Sequence, residues 1–86
     1  MKVTLHRNFE RQLENFPKKL QDKFDERLQL WLDDPSDSRL RIHLLKGKYA
    51  GYWSMNVTGD VRALYYYEGD VAVVFALIGT HSSLYG

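Results

Sequence analysis

Near its C-terminal end the chain reads Gly79-Thr80-His81-Ser82-Ser83-Leu84-Tyr85-Gly86, with a histidine and a tyrosine four residues apart. An imidazole titrates near neutral pH, and a phenol in suitable surroundings donates a proton, so the pair suits general acid–base chemistry. A terminal segment is prone to disorder, and packing of Leu84 would give the pair a fixed place. A second histidine, His43, precedes Leu44-Leu45-Lys46-Gly47-Lys48-Tyr49-Ala50-Gly51-Tyr52, where two lysines and two glycines alternate with aromatics. Glycines let a backbone approach closely, lysines neutralise phosphate, and aromatic rings stack on unpaired bases. Asp60 ends the turn signal Thr58-Gly59-Asp60, and Arg62 follows it. An arginine holds a phosphoryl group by two parallel hydrogen bonds, while an aspartate orients a histidine or acts as a weak base. Taken singly, each residue has an ordinary structural reading: a surface histidine, a tyrosine over a sheet end, a turn-forming aspartate, a solvated pair of lysines.

The elements that must position these groups follow from periodicity. Lys2 to His6 reads as a short strand with Val3 and Leu5 on one face. Asn8 is the expected N-cap of a short helix carrying Phe9, Leu13 and Phe16. Pro17 is expected at the first position of a second helix, in which Leu20, Phe24, Leu28 and Trp31 line one face. Asp34-Pro35 ends it. The period then shortens to that of strands. Tyr49 to Val57, Val61 to Tyr67 and Val71 to Ile78 are expected strands, joined at Thr58-Gly59-Asp60 and Glu68-Gly69-Asp70 into an antiparallel meander. Arg41 to Leu45 has extended character without an evident partner. Of Tyr65-Tyr66-Tyr67, neighbours point to opposite faces, so the three form no single stacking platform and at least one belongs to the core. The predicted architecture is α+β: two N-terminal helices packed on an antiparallel sheet, made of the short first strand plus the three-stranded meander.

Composition narrows the chemistry. Eighty-six residues, 44% of them hydrophobic, suit a single domain over residues 1–86 with a small core. There is no cysteine, which removes disulfides, thiolate metal sites and thiol nucleophiles. No metal-ligand spacing and no nucleotide-cradling glycine loop occurs, so no metal or cofactor is expected. No apolar run is long enough for a membrane span and no secretory signal pattern is present, so the expected compartment is the cytoplasm. Net charge is +1, yet residues 39–62 carry Arg39, Arg41, Lys46, Lys48 and Arg62 against Asp60 alone. That middle segment is the expected phosphate-facing region.

In order, His43-Leu-Leu-Lys46-Gly47-Lys48, Gly51-Tyr52-Trp-Ser, Gly59-Asp60-Val-Arg62 and Ile78-Gly79-Thr80-His81-Ser-Ser-Leu84-Tyr85 resemble the RelE/ParE superfamily of toxins, nearest its YafQ-like branch. The resemblance implies a RelE-like fold and a toxin of a type II toxin–antitoxin system. It further implies a ribosome-dependent messenger-RNA endonuclease held in check by a cognate antitoxin, and it admits a toxin–antitoxin hetero-oligomer. Carried over by motif, the catalytic residues are His43, Asp60, His81 and Tyr85, and the phosphate contacts are Lys46, Lys48 and Arg62. The implied reaction is attack of the RNA's own 2′-OH on the neighbouring phosphorus, with His43 or Asp60 as base and His81 as acid, the histidine roles being exchangeable. Two positions depart from the branch: Asn56 stands where a histidine can occur, and Val61 where an aromatic is common. They leave room for weaker activity or altered target choice. Two alternatives stay in view: a ParE-like inhibitor of DNA gyrase, which shares the fold but needs no RNA-cutting residues, and a catalytically weak relative that acts through its antitoxin.

Overall fold

The structure, a computed structural model, describes residues 1–85. Strand β1 (Lys2–Leu5) runs directly into helix α1 (Arg7–Glu14). His6 sits at the junction in extended backbone and donates its N–H to Phe75 O at 2.8 Å, while its Nδ1 accepts the Asn8 N–H at 3.0 Å. The histidine thus caps the helix in place of Asn8, because an acceptor ring nitrogen satisfies an orphan N–H as a short side-chain oxygen would. Pro17 likewise stands one place before its expected position. It caps helix α2 (Lys18–Asp33), and its carbonyl receives the N–H groups of Leu20 and Gln21. Phe24 and Trp31 on that helix are buried, with Leu20 and Leu28 partly so, as the spacing requires.

A 3₁₀ turn (Ser38–Leu40) leads to β2 (His43–Leu44), and a second (Gly47–Tyr49) to β3 (Trp53–Asn56). Then come β4 (Val61–Glu68), β5 (Ala72–Thr80) and the short helix α3 (His81–Tyr85). The sheet runs β1-β5-β4-β3-β2. Its centre is the expected antiparallel meander. The first strand of that meander is shorter than expected, because Tyr49 closes the second 3₁₀ turn and Gly51 (φ 90°) takes left-handed backbone that breaks the extended run. Two further pairings complete the sheet. β2 joins β3 antiparallel, and β1 joins β5 parallel, so the sheet is mixed rather than wholly antiparallel. No hairpin links β1 to β5, and nothing local imposes an antiparallel sense.

Between Leu64 and Tyr65 the β4–β5 register shifts: Leu64 opposes Leu77 and Tyr65 opposes Phe75, leaving Ala76 as an extra residue. Phe75 and Ile78 consequently both face the helices although they are three residues apart. There they join Phe9, Phe24, Trp31 and Tyr65 in the core. Phe9, Phe24 and Phe75 make a triangle of ring contacts at 5.0–5.8 Å, and Trp31 Nε1 donates to the Tyr65 hydroxyl at 3.2 Å. Such aromatic pairs add about 0.5–1.5 kcal/mol each beyond the area they bury. Burial pushes the Tyr65 phenol up to about 12. The opposite sheet face carries, row by row, His43, Ser54, Leu64 and Leu77, then Asn56, Arg62 and Gly79.

Candidate active site

Five residues make a helix too short to persist alone, so α3 depends on its contacts. Thr80 starts it: its Oγ1 accepts the Ser83 N–H at 3.1 Å and its carbonyl the Ser83 hydroxyl at 3.0 Å. Leu84 is buried, lying over Gly79, where an added Cβ would come within 3.3 Å of Leu84 Cγ and 2.6 Å of Ser83 Oγ. The Tyr49 hydroxyl donates to Leu84 O at 2.8 Å, and His81 N–H donates to Asp60 O at 3.0 Å. The bare glycine and two tertiary hydrogen bonds thus seat the helix against both the second 3₁₀ turn and the β3–β4 hairpin.

His81 and Tyr85, four apart on α3, share a helix face with ring centroids 4.9 Å apart. Tyr85 meets the edge of Tyr49 at 5.5 Å, Tyr49 meets Tyr52 at 6.2 Å, and Tyr52 meets Tyr66 at 5.5 Å. A line of rings therefore crosses the sheet face away from the helices. Lys48 Nζ lies 5.2 Å from the centroid of Tyr49, a cation–π contact that holds the lysine beside this line. Near its other end, Tyr52 and Tyr66 border a groove of about 230 Å³ that His6, Asn8, Ala76 and Leu77 also line.

The hairpin supplies Asp60 and Arg62. Thr58 Oγ1 accepts the N–H groups of Asp60 and Val61 and shapes the turn. Arg62 Nη1 donates to the carbonyls of Thr58 and Gly59 at 3.2 and 2.9 Å, which anchors the guanidinium and leaves its remaining N–H groups for another acceptor. Among the described residues the ion pairs are Lys18–Asp22, Lys23–Glu26 and Arg39–Asp37. Asp60, Lys46, Lys48 and Arg62 belong to none of them. No group of three His, Asp or Glu side chains among the described residues is gathered to hold a metal ion.

His43 stands apart from this cluster. It pairs with Ser54 at the far strand of the sheet, and three inter-strand spacings put it about 14 Å across from the β5 backbone that leads to His81. Its Nδ1 lies 3.0 Å from Arg41 O. So His81, Tyr85 and the Asp60 backbone are brought into contact, Lys48 reaches them through Tyr49, and His43 shares the sheet face without touching them.

Residues 1–86 match the family model described as the bacterial toxin of a type II toxin–antitoxin system, YafQ. This chain belongs to the YafQ toxin family. No curated protein matches it in sequence. Among solved structures, YafQ from E. coli strain BL21(DE3) superposes with a TM-score of 0.83 at 20% identity, covering 99% of this chain and 98% of that one. A chain of the E. coli DinJ–YafQ toxin–antitoxin complex gives 0.80 at 20% identity, covering 99% and 97%. A YoeB/ParE toxin from Agrobacterium tumefaciens gives 0.77 at 21% identity, covering 94% and 99%. At these identities the likeness is one of fold, the α+β RelE-like arrangement that the resemblance implied.

Within this YafQ-family fold, Tyr49 is the residue the sequence reading left without a role. Its hydroxyl ties α3 down and its ring links Tyr85 to Lys48. Its place beside Lys48, between two glycines and at the start of an expected strand, carries no sign of that role. His6, also unassigned, caps α1 and lines the tyrosine groove.

Proposed function

We propose that this chain is a cytoplasmic endoribonuclease toxin that cuts messenger RNA on the ribosome, without a metal or cofactor, and that a cognate antitoxin neutralises it. The RNA's 2′-OH attacks the adjacent phosphorus and the bond from phosphorus to the 5′-oxygen breaks, leaving a 2′,3′-cyclic phosphate and a 5′-OH. His43 or Asp60 accepts the 2′-OH proton, and His81 donates one to the leaving 5′-oxygen. Lys46, Lys48 and Arg62 stabilise the charge that develops on the phosphoryl oxygens. Tyr85 stacks on a base or orients the sugar-phosphate.

The observation that carries this reading is the seating of α3, which holds a His–Tyr pair beside Lys46, Lys48 and Arg62, cations in none of the ion pairs among the described residues. Membership of the YafQ family supports the toxin class. The E. coli YafQ is known in a complex with DinJ; here an acidic antitoxin segment would cover the cations between Arg39 and Arg62. The test is His81→Ala, assayed on ribosomes programmed with messenger RNA. Cleavage is expected to fall by about 10²–10⁴-fold, the usual contribution of a general acid, with the fold retained. A folded His81→Ala protein that cuts as fast as the parent refutes the assignment.

A catalytically weak relative is the second reading, and Asn56 favours it. It faces Arg62 across β3 and β4 at the hairpin end of the open sheet face, and an amide transfers no proton at ordinary pH.

A further inference from the structure

Arg41 is the one non-glycine among the described residues with positive φ (φ 47°, ψ 46°). It closes the 3₁₀ turn Ser38–Leu40, donating its N–H to Ser38 O at 3.3 Å. Left-handed backbone at that place usually falls to glycine or asparagine, and a branched-Cβ residue resists it most. Nothing about the turn requires arginine there. Strain kept at a single residue beside a candidate site calls for a local reason.

The reason lies two residues on. The Arg41 carbonyl is 3.0 Å from His43 Nδ1. A carbonyl oxygen only accepts, so Nδ1 must carry the proton. In the neutral ring the other nitrogen, Nε2, then holds the free lone pair. We propose that Arg41 is a positioning residue: its left-handed backbone presents a carbonyl that fixes His43 in the tautomer with Nε2 unprotonated, so that Nε2 is the atom through which this ring accepts a proton. The inference rests on the RNA-cutting reading for what His43 does, and on the Arg41–His43 geometry alone for the tautomer.

The same contact persists after proton transfer, when both ring nitrogens are donors. A backbone acceptor thereby holds this imidazole in one tautomer and orientation, as the carboxylate of a catalytic triad holds its histidine. It costs no second ionisable group. His43 is exposed at the sheet margin, where RNA can reach it.

The test compares Arg41→Gly with Arg41→Val in the full chain. Both remove the cation equally, but glycine adopts left-handed backbone freely and valine does not. Ring ¹⁵N shifts of His43, measured without RNA, report the tautomer. The parent and Arg41→Gly are expected to show Nδ1–H, and Arg41→Val a mixture with Nε2–H. Cleavage on programmed ribosomes is expected to fall at least about tenfold further in Arg41→Val than in Arg41→Gly, a fraction of what a general base contributes. Backbone amide shifts of β3, β4 and β5 matching the parent establish that the valine protein is folded. If they do not match, Arg41→Ala, milder at the same backbone site, replaces it. An Nε2–H parent, or the same tautomer in the glycine and branched or alanine variants, overturns the inference. A parent with the Nδ1–H tautomer that cuts no RNA overturns the function and leaves the positioning intact.

Discussion

Replacing Leu84 by alanine tests whether α3 is held by one buried side chain. Leu84 is 5% exposed, and its Cγ and Cδ2 lie over the bare Cα of Gly79, within 3.3–3.4 Å of where a Cβ would stand. Leucine-to-alanine changes at buried sites cost about 2–5 kcal/mol, the lower part of that range applying where the structure can collapse or let go. A short terminal helix lets go, so about 2–3 kcal/mol is the working figure, which is roughly 30- to 150-fold in the balance between seated and released α3. The hydrogen bonds from Tyr49 to Leu84 O and from His81 N–H to Asp60 O would break with it. Amide hydrogen exchange reads this directly at His81 and Ser83, whose N–H groups are bonded to Asp60 O and Thr80 Oγ1. Their protection is expected to fall by that factor or to vanish, while the melting transition stays cooperative. The midpoint should drop roughly 10–20 °C, at about 4–8 °C per kcal/mol for a domain of this size. Retention of the parent's protection at His81 and Ser83 would refute the account of how α3 is seated.

Tyr49→Phe keeps the ring line but removes the bond to Leu84 O, and is expected to cost about 0.5–1.5 kcal/mol, read as a lower urea midpoint at unchanged slope. Asn56→His restores a titratable group beside Arg62, and ribosomal cleavage is expected to rise several-fold with a new pH dependence near the imidazole pKa; an unchanged rate and pH profile would show that Asn56 does not limit activity. Tyr65 supplies a pH prediction. Its folded pKa, about 12, lies above the 10.0 of an exposed phenol, so its contribution is complete below pH 10 and is lost as pH rises toward 12. Chemical unfolding followed across that window should show a loss of stability in the parent that is diminished in Tyr65→Phe.

The long amphipathic helix and the meander were legible because each repeats a period over many residues: Leu20, Phe24, Leu28 and Trp31 in one, the β-branched and aromatic run from Trp53 onward in the other. The pieces that escaped are short or nonlocal. β2 is two residues, too few to show alternation, and its partner is set by the loop that follows it. The parallel seat of β1 depends on a strand about seventy residues later. His6 caps α1 because β1 has already aligned its backbone with β5, a constraint no N-cap preference contains. At the candidate site, the motif named His81 and Tyr85 and the structure brings their rings together. Tyr49 stayed hidden because its hydroxyl meets a carbonyl thirty-five positions away. The pairing of His43 with the Arg41 carbonyl was local, but it depends on an arginine adopting backbone its residue type disfavours.

Ala76 acts as a phase shifter in the last strand. Upstream of it, odd-numbered residues such as Val73 and Phe75 point to the helices; downstream, even-numbered Ile78 does. Were the same residues paired in an unbroken ladder, with no bulge to absorb the extra one, every position after Ala76 would fall on the other face. Ile78 would swing to the ring-lined face and Gly79 to the helices, and the notch that receives Leu84 would open on the wrong side of the sheet. A slip of that kind spares the identity of His81 and Tyr85 and removes the place they occupy, so in this chain the bulge at Ala76 is as much a part of the site as the letters of the terminal motif.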